Sequence, residues 1–234
     1  MLKKDLILKN PLRALEPETG LNAAPHRMGL VIARRGVGKT ALLVQFALDS
    51  LLRGNHVAHV SIGQNLDKAK AWYEDLFQSL SDSYRLDRAG EVHDEISRKR
   101  FIMTFKADTF SGPRLEERLN DLLYQDVFRP NSMIIDGYDF ENATRGQIQD
   151  LRDLTEAMSL HTWFSAVRHR DETKVSALGV PAPCDRFEEF FDTILLLDPE
   201  EKGVSLNTLK DEVSGHSSRK NLLLDPATFL VSEA

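Results

Sequence analysis

The sequence predicts an α/β fold of three layers, with helices on both faces of a mostly parallel central sheet and a C-terminal β-hairpin. Three observations carry that expectation. Short apolar runs alternate with segments of helical period along most of the chain. The run Gly29-Leu30-Val31-Ile32-Ala33 has no polar alternation, as suits a strand buried on both faces, and it passes through a glycine-bearing loop straight into a helical stretch. A second apolar run, Ser132-Met133-Ile134-Ile135, ends in Asp136. At 234 residues the chain fits one large domain, read as 28–234, preceded by a lead-in of residues 1–27 packed on it.

In order, the lead-in carries prolines at 11, 17 and 25 and short apolar pieces without a sustained period. After the loop, a helix from about Lys39 to Leu52 stops at Arg53-Gly54-Asn55, where glycine supplies a left-handed cap. His56 to Ile62 reads as a strand. Asp67 to Leu80 reads as a helix with Trp72, Leu76, Phe77 and Leu80 on one face, so these aromatics belong to a core rather than a base-stacking platform. The charged segment 81–100 reads as helix or exposed loop, most simply a solvated face. Phe101 to Phe105 is a third strand. Ser111-Gly112-Pro113 opens a helix that ends near Pro130, with proline early, where its missing N–H does no harm. Beyond Asp136, the helix from Thr144 to Leu160 leads to a strand over Thr162 to Val167 and a charged loop from Arg168 to about Lys174. After the Pro181-Ala182-Pro183 break, Arg186 to Phe191 is a short helix or turn and Thr193 to Leu197 a strand. Val204 to Leu209 and Asn221 to Leu224 are expected to pair as a terminal hairpin across Ser214-Gly215-His216-Ser217.

The formal net charge of −6 and a pI near 5.7 do not suggest a surface that coats nucleic acid. DNA as a partner therefore finds no support in the charge. The single cysteine, Cys184, excludes an intramolecular disulfide and reads as a packed residue, which fits a reducing cytoplasm. Met1-Leu2-Lys3-Lys4 runs into Asp5 and a broken apolar stretch, which is not a signal-peptide pattern, and no run of 18 apolar residues exists, so no membrane partner is expected. The histidines form no His-Glu-x-x-His pattern, and no Gly-x-Ser-x-Gly elbow is present.

Chemistry concentrates at the loop. Gly38-Lys39-Thr40 completes the tail of a phosphate-binding loop, in which backbone N–H groups and a helix N-terminus face phosphate oxygens. Lys39 adds positive charge there, and the Thr40 hydroxyl can ligate Mg²⁺. The candidate nucleotide-binding residues are Ala33, Arg34, Arg35, Gly36, Val37, Gly38, Lys39, Thr40 and Ala41; the pattern G-x-x-x-x-G-K-[ST] has glycine where this chain has Ala33. Asp136, an acid directly after an apolar strand about a hundred residues on, suits a carboxylate that orients the Mg²⁺ hydration shell beside Thr40. Asp139 and Glu141 lie close enough behind to share the role. In a parallel sheet, ligands sit at the carboxyl ends of the strands, so the loop, Gly63-Gln64, Asp136 and Arg168 should meet at one edge.

These residues resemble a family. Ala33-Arg34-Arg35-Gly36-Val37-Gly38-Lys39-Thr40 resembles the Ala-Arg-Pro-x-x-Gly-Lys-Thr loop of DnaB-type replicative helicases, whose first position is also alanine. The order of elements from about Met28 to Leu230 is similar to the RecA, DnaB and KaiC branch of P-loop ATPases. The resemblance is strongest at the loop, moderate at Ile134-Ile135-Asp136, and beyond Leu160 rests on element order and on Leu209-Lys210 followed by Gly215-His216-Ser217, which resembles the KaiC-like and DnaB-like segment that places Lys and Arg against a neighbouring subunit's γ-phosphate. It implies ATP and Mg²⁺ as cofactors, a RecA-like arrangement of strands and a homo-oligomer. It also implies a catalytic set of Lys39, Gln64, Asp136 and Arg168, with Thr40 and Asp136 at the metal. This chain departs from the family pattern at three places. The glutamate that polarises water at the end of the second strand is replaced by Gln64, which can orient a water but cannot take its proton. Arg168 stands at the sensor position with His169 and Arg170 beside it, and either contacts a γ-phosphate or belongs to a solvated loop paired with Asp171 and Glu172. The Lys-x-Arg that reaches a neighbouring subunit reads Lys210-Asp211-Glu212, which puts ring-type activation in doubt.

Four functions follow as alternatives. The first is an ATP-binding protein whose Mg-ATP occupancy controls conformation or assembly, with weak hydrolysis. The runner-up is a DNA-acting helicase or recombinase accessory. A P-loop kinase with Arg168 and Arg170 as lid arginines comes third, and a nucleotide-free scaffold fourth.

Overall fold

The computed structural model describes residues 1–15, 26–168, 174–201, 203–212 and 222–233. In chain order the elements are α1 (Lys3–Lys9), a 3-10 turn (Pro11–Leu15), β1 (Arg27–Ala33), α2 (Lys39–Leu52), β2 (Val57–Ile62), α3 (Leu66–Tyr84), α4 (Ala89–Arg98) and β3 (Arg100–Phe105). There follow α5 (Gly112–Tyr124), β4 (Ser132–Asp136), α6 (Arg145–Ala157), β5 (His161–Val167), 3-10 turns at Cys184–Arg186 and Glu188–Phe190, β6 (Thr193–Glu200), β7 (Gly203–Asp211), β8 (Leu222–Leu224) and β9 (Val231–Glu233).

Side chains cap the starts of α3, α5 and α6. Asn65 caps α3 by accepting from the Lys68 N–H at 2.9 Å, and Ser111 caps α5. Thr144 and Gln147 form a reciprocal capping box at α6, which satisfies two N–H groups that helix geometry leaves without intrahelical partners. The start of α2 has no side-chain cap, and its N-cap is Gly38 in the left-handed region.

The nine strands of the described residues form one sheet in the order β3-β2-β4-β5-β1-β6-β7-β8-β9. The six from β3 through β6 pair in parallel, and β6 through β9 pair antiparallel. The chain is thus α/β with a mostly parallel sheet and an antiparallel C-terminal region. Period-two alternation sorts the strand residues onto two cores. Val31, Ala33, Val57, Ile134 and Leu197 pack toward α2, α3 and α4, where Leu43, Leu48, Tyr73, Phe77 and Ile96 meet them. On the other face Leu30, Ile32, Val60, Ile135 and Phe164 pack on Leu115 and Leu119 of α5 and Ile148 and Leu151 of α6.

Three readings need amendment. Residues 81–100 are not merely a solvated face: α3 continues to Tyr84, and α4 buries Val92 and Ile96, one turn apart, against the core. The lead-in contains a helix, α1, with Leu6 buried, and Asp49 of α2 fastens the following turn by an ion pair with Arg13 and a 2.8 Å hydrogen bond from the Asn10 amide. At the C-terminus, Val204–Leu206 do pair with Leu222–Leu224, but the expected turn at 214–217 lies outside the described residues. Two further antiparallel pairings, β6 with β7 and β8 with β9, extend the sheet. Gln45, buried in α2, holds this last segment by donating to the Phe229 carbonyl at 2.6 Å and accepting from the Val231 N–H at 2.9 Å.

Gly29 in β1 marks a close approach. A Cβ there would lie 2.3 Å from the Trp163 ring, which is itself backed by Phe46 at 4.4 Å between ring centroids. Gly29→Ala should cost about 2 kcal/mol by overpacking, measured as a lower urea midpoint. Trp163→Leu in the same chain should recover part of that loss; strict additivity of the two changes would contradict the contact.

Candidate functional site

Strand register brings the singled-out residues to one edge. Ala33 at the end of β1 pairs with Val167 of β5 on one side and Leu197 of β6 on the other, while Ser61 of β2 pairs with Asp136 of β4. Arg34 and Arg168 therefore leave the sheet level with Asp198, which β6 still holds in pairing with Ser205 of β7, and Gly63-Gln64 leaves beside Asp136. This is the carboxyl edge, where open α/β sheets expose backbone and side chains to ligands.

The loop between β1 and α2 turns on two glycines. Gly36 has φ +79°, and a Cβ built on it meets nothing within 4 Å. Gly38 has φ +110°, and a Cβ there would lie 2.5 Å from Leu224 Cδ2, so β8 backs the loop. With no side-chain cap, the first N–H groups of α2 remain available to an outside acceptor. Lys39 folds over the loop and donates from Nζ to the carbonyls of Ala33 at 3.3 Å and Arg34 at 3.0 Å. Burial lowers its pKa, Asp136 acts to raise it, and neighbouring Arg35 lowers it further. Arg35 is exposed, Val37 packs partly against the core, and Ala41 is fully buried in the first turn of α2.

Loop and acid meet directly. Thr40 Oγ1 donates to Asp136 Oδ2 at 2.8 Å across 96 residues of sequence. Gln64 reaches the same oxygen with a long 3.5 Å contact from Nε2. The other carboxylate oxygen, Oδ1, accepts from Ser165 Oγ at 2.5 Å, and Ser165 in turn accepts from the Gly137 N–H at 3.0 Å. Ser165 has no motif that marks it in the sequence. A lone serine inside Thr162–Val167 reads as an ordinary strand residue, and only the parallel pairing of β4 with β5 brings it beside the acid; its one sequence signal is a hydroxyl in a run otherwise fit for burial.

Other candidates are held elsewhere. Arg168 donates its backbone N–H to the Ala33 carbonyl at 3.1 Å, while its guanidinium is ion-paired with Asp198; His169, Arg170, Asp171 and Glu172 lie outside the described residues. Asp139 folds into its own turn, accepting from the N–H groups of Glu141 at 3.1 Å and Asn142 at 3.2 Å and from the Asn142 amide at 2.8 Å. Those bonds lower its pKa, the Asn142 side chain most. Lys210 is turned onto its own chain, at 3.0 Å from the Glu188 carbonyl and 2.9 Å from Glu212. Cys184 is buried, which pushes its thiol pKa up and leaves it a packed residue.

Beneath the acid, on the same sheet face, sits a buried polar pair. His59 Nδ1 lies 3.0 Å from the Tyr73 hydroxyl, and the Arg100 guanidinium covers the Tyr73 ring at 4.3 Å. Desolvation is the main cause that lowers the His59 pKa to about 4, with Asp136 opposing and Arg100 assisting. The folded value lies below the ordinary 6.5, so protons favour the unfolded chain: stability is intact above about pH 6.5 and is lost as pH falls toward 4. The full loss is on the order of 3 kcal/mol. Urea midpoints between pH 7 and 4 should therefore fall more steeply for the native chain than for His59→Gln; equal slopes would remove this account.

The arrangement suits an anionic ligand with a divalent cation. Gly36 leaves an open cradle, the α2 N-terminus offers unpaired N–H groups, and Lys39 supplies charge. Thr40 and Asp136 present adjacent hard oxygens of the kind Mg²⁺ accepts beside a phosphate. Among the described residues no helix is long and apolar enough to cross a membrane. No family model matches the chain, and no curated protein is significantly similar to it.

Proposed function

We propose that the chain is a Mg-ATP-binding protein of RecA/KaiC-like build whose nucleotide occupancy controls conformation or assembly, with weak hydrolysis. The observation that carries this reading is the 2.8 Å hydrogen bond from Thr40 to Asp136, which joins a glycine loop to a strand-end acid at the carboxyl edge of a parallel sheet. Lys39 and the backbone of 34–40 would hold the phosphates; Mg²⁺, bound by Thr40 and oriented by Asp136, would supply neutralising charge there.

Strand order supports this over a phosphoryl-transferring kinase. The closest kinases place the acidic strand next to the loop strand, whereas here β5 stands between β4 and β1. Weak turnover is argued from Gln64, which reaches Asp136 but has no basic site with which to take a proton from water. Lys210, already bonded to Glu188 and Glu212, adds no argument for activation across a subunit interface.

A steady-state ATPase assay with Mg²⁺ tests the proposal. The native chain should turn over slowly, Gln64→Glu faster, and Lys39→Ala at background. Brisk native turnover that Gln64→Glu leaves unchanged would overturn weak hydrolysis, and no ATP binding by calorimetry would overturn the reading as a whole.

A further inference from the structure

Resting on that reading, we propose that Asp198 regulates the site as an internal competitor for the γ-phosphate: it holds Arg168 when the site is empty or carries a diphosphate, and cedes it to a triphosphate. Register places the two residues just beyond Val167 and Leu197, the partners of Ala33 on either side of β1, so their ion pair bridges the root of the loop. The Arg168 backbone donates to the Ala33 carbonyl at 3.1 Å, and the same carbonyl accepts from Lys39 Nζ at 3.3 Å. Arg168 is thereby anchored one carbonyl away from the lysine expected to meet the terminal phosphates. Its guanidinium is also incompletely used. Nη2 meets Asp198, while Nε is buried with no hydrogen-bond partner among the described residues, and a buried donor left in that state favours any rearrangement that supplies an acceptor. A γ-phosphate carries more charge than a carboxylate and offers three oxygens to a planar guanidinium, so it can displace Asp198 where a diphosphate, lacking that group, cannot.

Competition of this kind lowers affinity for triphosphate alone, since opening the pair opposes only the ligand that needs Arg168. Titration calorimetry with Mg²⁺ and either ADP or the non-hydrolysable β,γ-imido analogue of ATP reads it out. Asp198→Asn should tighten the triphosphate analogue about tenfold and leave ADP within twofold. Arg168→Gln should remove the preference for triphosphate, and the double variant should match Arg168→Gln. Should Asp198→Asn not fold, as judged by far-ultraviolet circular dichroism, Asp198→Ser provides the same reading. Equal shifts for both nucleotides, a weakened triphosphate, or an Asp198→Asn effect that persists without Arg168 would each overturn the competition. Failure of the native chain to bind either nucleotide would instead count against the proposed function.

Discussion

Alanine at Gly137 is expected to destabilise the chain by about 3 kcal/mol and to weaken Mg-nucleotide binding together with it. The position has φ +91°, where an L side chain is strained, and its Cβ would lie 2.5 Å from the Ile62 carbonyl oxygen. That neighbour is strand backbone and cannot rotate away. Relief would require parting the end of β4 from the end of β2, which would move Asp136, the preceding residue, away from Thr40. It would also strain the Gly137 N–H bond to Ser165, the second partner of the Asp136 carboxylate. Urea unfolding with and without Mg-ATP checks both effects. A variant of native stability would show that β2 and β4 do not meet this closely, and one with lowered stability but native affinity would separate the glycine from the site.

Lys39→Ala should separate the two properties in the opposite way. Among the described residues the ammonium bonds the Ala33 and Arg34 carbonyls and is partly desolvated, so its removal should change stability by less than about 1 kcal/mol. Affinity for ATP should fall on the order of a hundredfold, because a partly desolvated charge that should pair with phosphate is gone. Thermal unfolding makes the contrast visible: the native chain should gain stability with ATP concentration as ligand linkage requires, and Lys39→Ala should not. A variant that ATP stabilises as well as it does the native chain would place the phosphates elsewhere.

The second prediction starts from a lysine that the sequence marks, whereas Gly137 owes its weight to the approach of β2 and β4, which only strand pairing reveals. Gly36, Gly38, Lys39 and Thr40 were legible because a strand, a glycine turn and a helix follow without interruption, and local sequence dictates each. Asp136 was legible because an apolar run ends on it. Ser165 was not, since its role arises from the pairing of β4 with β5, and nothing local marks which strands will be neighbours. The ion pair of Arg168 was hidden for the same reason. Two readings were open for that arginine, a γ-phosphate or nearby acids of its own loop, whereas its described partner, Asp198, comes from a strand two places away in the sheet. Segment 81–100 misled through composition: with Val92 and Ile96 the only large aliphatic residues between Leu86 and Phe101, its apolar stripe is too narrow to stand out among the charges. The hairpin of β6 and β7 turns at Glu201, inside a charged stretch that reads as loop.

Whether residues 33–40 and Asp136 together hold Mg-ATP, as we propose, can be read from a crystal structure grown with Mg²⁺ and the β,γ-imido analogue of ATP. Phosphates should lie within the loop, with Lys39 Nζ drawn from the Ala33 and Arg34 carbonyls onto them and Thr40 Oγ1 turned from Asp136 onto the cation. A loop that keeps Lys39 on its own carbonyls and Thr40 at 2.8 Å from Asp136, with the nucleotide absent or bound elsewhere, would contradict that proposal.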